Sequence, residues 1–223
     1  EYDIGPGKTA EKTLSVNVAA TAGGRSIVVR AREARTEFLI GREVAVPVFR
    51  GFKSLEAVSG ALSEVRPHRI KAEERILAAL RVGMTDRALV LDARVHDPAT
   101  EPDEVPWRGS CLEVFGSAAA STKIGQIFLV PGTDDASAKS YRVKKGKVVA
   151  SPGVRVRSRP LDSGYRMQAL IPLKLLNLAG DGVRRTIEFQ LTVLETDGNP
   201  VRGTLFGSPA AYKSSKHYGH VRP

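Results

Sequence analysis

TIEFQLTVLET, residues 186–196, alternates without a break as far as Val193. Ile187, Phe189, Leu191 and Val193 fall on one side, and Glu188, Gln190 and Thr192 on the other. Successive side chains of an extended chain point to opposite faces, so this is a strand with one apolar and one polar face. The Asp197-Gly198-Asn199-Pro200 that follows has turn chemistry. The same period of two governs Tyr165, Met167, Ala169 and Ile171, which stop at Pro172. It governs Leu89, Leu91, Ala93 and Val95 as well, which form a hairpin with a strand over 79–84 through the turn Thr85-Asp86-Arg87. Pro98 cannot donate to a ladder and ends that hairpin. Further short strands read at 126–130, 141–149 and 154–159. In the last, Val154 and Val156 face inward while Arg155, Arg157 and Arg159 share the solvent side. Residues 173–178 read as one helical turn. Many short strands with little helix predict an all-β protein, an antiparallel β-sandwich of jelly-roll or immunoglobulin-like type.

The amino-terminal part is different. Residues 1–12 read as a linker, Leu14, Val16 and Val18 with residues 26–31 as a hairpin about Gly23-Gly24, and 37–48 as one or two more strands. The expected organisation is therefore a linker with strands over 1–44, the end of a preceding module, and one sandwich over 45–223. Within 51–80 the run from Ala72 to Leu80 has helical composition, but the following turn favours a strand. The tail 212–220 is basic and aromatic, and His217 and His220 read as part of a flexible end.

The chain has 223 residues and 42% hydrophobic content, within the globular range. No apolar run approaches the roughly 18 residues that a membrane helix needs. Thirty-four Lys and Arg against 24 acids give a net charge of +10, a field that favours polyanions. The basic residues are spread along the chain, so nucleic acid is an unlikely partner on charge alone. One cysteine allows no internal disulfide, and there is no CxxC, HExxH, P-loop or GxSxG. The start at Glu1 points to a processed chain or one cut from something larger.

Residues 106–115, PWRGSCLEVF, hold the only tryptophan and the only cysteine. Alternation puts Leu112 and Val114 on one face and Cys111, Glu113 and Phe115 on the other. A carboxylate in mid-strand needs water or a partner, so Glu113 is expected to face a wet concavity. Trp107, at the strand mouth, offers a flat apolar plate. A plate beside a carboxylate suits a sugar ring, with its C–H face and hydroxyl edge. The competing reading makes Trp107 a plug at one end of the β core.

The order of segments ALRVGMTDRALVLDARVHDP (79–98), PWRGSCLEVF (106–115), GQIFLVP (125–131), GYRMQALIPLKLLNL (164–178) and IEFQLTVLETDG (187–198) resembles the family 9 carbohydrate-binding modules. It is also similar to the wider DOMON-like sandwich group. The resemblance spans about residues 45–223. It implies a sandwich that binds a polysaccharide or oligosaccharide without catalysis, linked to the catalytic module of a secreted glycan-processing protein. Location would be extracellular or periplasmic, and structural calcium is an implied cofactor. By position, Trp107 would stack on a sugar, Glu113 and Asp97 would accept from hydroxyls, and Gln126 would make a polar contact. Ser110 stands where an aspartate is common in the family, and the second tryptophan of its aromatic clamp is absent. Tyr212, Tyr218 or His217 are the candidates to replace that plate. A structural or docking sandwich with no sugar activity is the alternative. Glu113 with Asp97 is the only carboxylate pair that a glycosidase reading could use.

Overall fold

The structure, a computed structural model, describes residues 29–33, 36–40, 43–52, 54–118, 123–134, 137–180, 185–207, 210–215 and 217–222. The expected strand at 14–18 and the turn at 23–24 lie outside the described residues.

In chain order the elements are β1 (Val29–Glu33), β2 (Thr36–Ile40), β3 (Glu43–Ala45), α1 (Glu56–Leu62), β4 (His68–Ala72), β5 (Arg75–Met84), β6 (Ala88–His96) and β7 (Cys111–Ala118). They continue as β8 (Gly125–Val130), β9 (Lys139–Lys144), β10 (Lys147–Ala150), β11 (Arg155–Leu161), β12 (Gly164–Pro172), β13 (Arg185–Leu194), β14 (Pro200–Thr204) and β15 (Gly219–Arg222). A 3-10 turn over Leu173–Leu176 follows β12, where one helical turn is expected. β1 and β2 form a two-stranded sheet of their own.

Eleven of the remaining described strands follow one path, β10-β9-β8-β7-β13-β14-β4-β5-β6-β12-β11. Its neighbours are antiparallel throughout. β14 meets β4 through a single residue pair, Thr204 with Lys71. There the path folds into two layers, β10 to β14 and β4 to β11. The period of two explains what lies between them. Leu112, Val114, Ile127, Phe189 and Leu191 of the first layer share one buried cluster with Leu80, Leu91, Tyr165, Met167 and Ile171 of the second. This is the β-sandwich the alternation predicts.

Three local expectations change. Residues 51–80 contain α1, whose Val58 and Leu62 pack on Val90 and Leu170 outside the second layer. A turn at Glu73-Glu74 then lets β5 begin at Arg75, earlier than the helix-like composition allows. The polar side of 186–196 is not solvated: Glu188 is fully buried, its Oε1 accepting the N–H groups of Phe189, Leu205 and Phe206 at 2.9, 3.2 and 2.9 Å. The tail is no loose end. β15 pairs antiparallel with β13 and parallel with β3, so chain end and β3 join the first layer together.

Candidate sugar-binding groove

β7 carries Glu113 on the outer face of the first layer, directly across from Phe128 of β8 and Gln190 of β13. Gln126 lies two residues before Phe128 on the same strand, so it occupies the same face. Its Nε2 donates to Glu113 Oε2 at 2.8 Å. Phe128 supports Trp107, with ring centroids 5.6 Å apart and planes tilted by 47°.

Trp107 is delivered by the loop between β6 and β7, and that loop is pinned at its base. Ser110 N–H donates to the Glu101 carbonyl at 2.8 Å, and Glu101 N–H donates to Ser110 Oγ at 2.9 Å. Asp103 Oδ1 accepts from Val105 N–H at 2.6 Å. From the neighbouring strand, Arg202 donates to the Trp107 carbonyl at 3.0 Å. Ser110 therefore closes the loop on itself.

Together these residues bound a groove of about 340 Å³. Trp107, 37% exposed, Tyr212, 56% exposed, and Val143 give it apolar walls. Glu113, Gln126 and Gln190 with Phe128 form the floor, and Arg202 lines it too. Burial pushes the Glu113 carboxyl above its ordinary value, an effect that the Gln126 hydrogen bond and the Arg202 charge offset only in part. A half-dry carboxylate, two amides and a guanidinium under aromatic plates make donors and acceptors converge on an apolar slot. This pattern suits a polyhydroxylated ring.

Four of the residues singled out in the sequence therefore meet: Trp107, Glu113, Gln126 and Tyr212. Two do not. Asp97 is 1% exposed, and its Oδ1 accepts from Leu194 N–H at 2.7 Å. It ties the end of β6 to the end of β13 and cannot reach a ligand in the groove. Burial raises its carboxyl pKa, with the Ser110 hydroxyl and Leu194 N–H pulling the other way. Tyr218 is also buried. It packs on Phe115 at 6.3 Å, and its hydroxyl donates to the Ala211 carbonyl at 2.6 Å. It shapes the segment that carries Tyr212 and offers no plate. His217 is not among the residues lining the groove.

The sequence reading did not single out Gln190, Arg202 and Val143. Gln190 was legible as an outward residue of the most regular strand, but Arg202 and Val143 reach the groove only through strand order. Among the described residues no group of three or more His, Cys, Asp or Glu stands together to hold a metal ion, so no side chain here is assigned to calcium. No described helix is long and apolar enough to cross a membrane. A larger cavity of about 770 Å³ lies near the β5–β6 turn, with Arg50, Arg87 and Lys174 in its lining. It lacks the exposed aromatic plates of the smaller groove, so volume does not decide between them.

No protein-family model matches the chain, and no curated protein matches it by sequence. Solved structures do share its fold. A family 9 carbohydrate-binding module from Caldicellulosiruptor kristjanssonii in complex with cellotriose is 19% identical, with a TM-score of 0.58 over 81% of this chain and 93% of that one. The complex of such a module from the same organism with glucose gives 18% identity and a TM-score of 0.58, over 81% and 95%. A protein from Bacteroides uniformis gives 15% and 0.54, over 81% and 98%. The sandwich architecture of these modules is thus the architecture of this chain.

Proposed function

We propose that this chain binds carbohydrate without chemical turnover, through the groove of Trp107 and Tyr212. One observation carries the reading: two exposed aromatic rings and a Glu113–Gln126 hydrogen-bonded pair open into the same slot. The rings take the C–H face of a sugar, and the carboxylate and amides take its hydroxyls. The shared fold with modules solved holding cellotriose and glucose supports a neutral β-linked glucan as the first ligand to try. Among the described residues Glu113 is the only carboxylate lining the groove, whereas the usual glycoside hydrolysis needs a pair about 5–10 Å apart. By the same reading the parent is a secreted glycan-processing protein whose catalysis resides elsewhere. The net charge of +10 supports an additional affinity of the chain for acidic polysaccharide.

Titration calorimetry with cello-oligosaccharides tests this on the intact chain and on Trp107→Ala. Binding that vanishes in a folded variant is the expected result. No binding to any glycan, with the variant merely less stable, would establish a structural sandwich instead.

A further inference from the structure

The outer face of the second layer carries a row of arginines that runs across its strands. The pairings align Arg159 of β11 with Arg166 of β12, Arg166 with Arg94 of β6, Arg94 with Ala79 of β5, and Ala79 with Arg69 of β4. The alternate residues on these strands, such as Ser158, Met167, Val95 and Ile70, are buried inward, so the row faces out. Like charges on directly paired positions of neighbouring strands destabilise a sheet. Arg166 has its charge met by Asp92, with contacts at 2.9 and 2.6 Å, and Arg157 pairs with Glu56 at 2.7 Å. Asp92, Arg157 and Glu56 lie outside the row, so these pairs leave the other three arginines unneutralised. Arg159, Arg94 and Arg69 are exposed, and among the described residues none makes an ion pair or a side-chain hydrogen bond. They sit on every second strand, a spacing of about 10 Å from two strand separations. A groove of about 600 Å³ has Arg94 and Arg159 in its lining, together with Ile76, Ala79, His96 and one carboxylate, Asp162.

We propose that this row is a second, electrostatic binding face, for an acidic polysaccharide with anionic groups about 10 Å apart that lies across the strands. Taking the polymer to be a glycan rests on the function proposed for the groove; the row itself does not. A phosphate backbone is a poorer match, because its charges recur about every 3.4 Å along each strand of a duplex. Bases would need stacking plates, and among the described residues the exposed aromatic side chains, Trp107 and Tyr212, line the groove of the other layer. Arg155 and Arg157 precede Arg159 on β11 at alternate positions, so basic residues continue along that strand.

The test uses hyaluronan, with one carboxylate per disaccharide, a cello-oligosaccharide, and duplex DNA. Each is titrated at low salt against the wild-type chain, Arg94→Ser/Arg159→Ser and Trp107→Ala. The double variant should bind hyaluronan roughly tenfold more weakly while keeping its cello-oligosaccharide affinity. Trp107→Ala should show the opposite pattern. Absent hyaluronan binding, binding indifferent to the double variant, binding lost with Trp107, or DNA bound more tightly than hyaluronan would each overturn the proposal. Hyaluronan binding that depends on the arginines, with no cello-oligosaccharide binding at all, would sink the groove's function and leave the row standing.

Discussion

Gln126 donates its amide to Glu113 at 2.8 Å across two neighbouring strands, and this bond fixes what the groove floor can accept. With one carboxylate oxygen engaged, Glu113 presents the other to a ligand hydroxyl. The carboxyl's pKa lies above its ordinary value of 4.5 because it is buried. Hydroxyl donors favour the ionised form, so sugar affinity should fall as pH drops through that raised pKa. Affinity measured from pH 8 to pH 4 in the wild type and in Glu113→Gln checks this. The variant should bind more weakly at pH 7 and lose the pH dependence.

The same group has an opposite effect on stability. A carboxyl with a raised folded pKa holds more protons folded than unfolded, so its contribution to stability declines as pH rises between 4.5 and the folded value. Removing the charge in Glu113→Gln should therefore leave stability at pH 7 unchanged or higher, provided the amide keeps a partner in Gln126. Chemical denaturation at pH 7 and pH 4 reads this directly.

Two tyrosines separate by environment. Tyr212 is exposed on the groove, so Tyr212→Ala should weaken sugar binding by about 1–3 kcal/mol, by analogy with base stacking, and leave the thermal midpoint nearly unmoved. Tyr218→Phe removes a buried donor from the Ala211 carbonyl and should cost about 1 kcal/mol of stability without touching affinity. Paired calorimetry and melting curves distinguish the roles.

Asp97→Ala should strand the Leu194 N–H and cost about 1–3 kcal/mol of stability. Its effect on sugar affinity should be small, since the carboxylate faces the β6–β13 junction. A large loss of affinity at unchanged stability would contradict that assignment.

Gly116 and Gly125 let the 3-10 turn lie against β7 and β8. A Cβ at Gly125 would stand 2.4 Å from the Leu175 carbonyl oxygen, and one at Gly116 would stand 2.5 Å from that of Leu176. Either alanine variant should lose about 1–3 kcal/mol, because backbone must shift to admit the methyl group. Denaturation midpoints check it.

Alternation by itself determined the fold class. Ile187, Phe189, Leu191 and Val193 had to turn inward together, and so did Tyr165, Met167, Ala169 and Ile171, because side chains of a strand alternate. The same rule put Glu113 on the face opposite Leu112 and Val114, and aromatic chemistry singled out Trp107 beside it. The tertiary structure decided which residues share a groove. Tyr212, Arg202 and Val143 reach Glu113 from distant parts of the chain, through the order in which strands pair. Strand order is a long-range choice that local periodicity does not encode. The structure also decided the partners of Glu188, Asp97 and Tyr218. A polar residue on the outward side of a strand looks the same in sequence whether water or a buried N–H meets it. The arginine row followed the same logic. Residues 69, 94 and the hairpin that carries 159 and 166 are far apart along the chain, and only strand register sets them side by side.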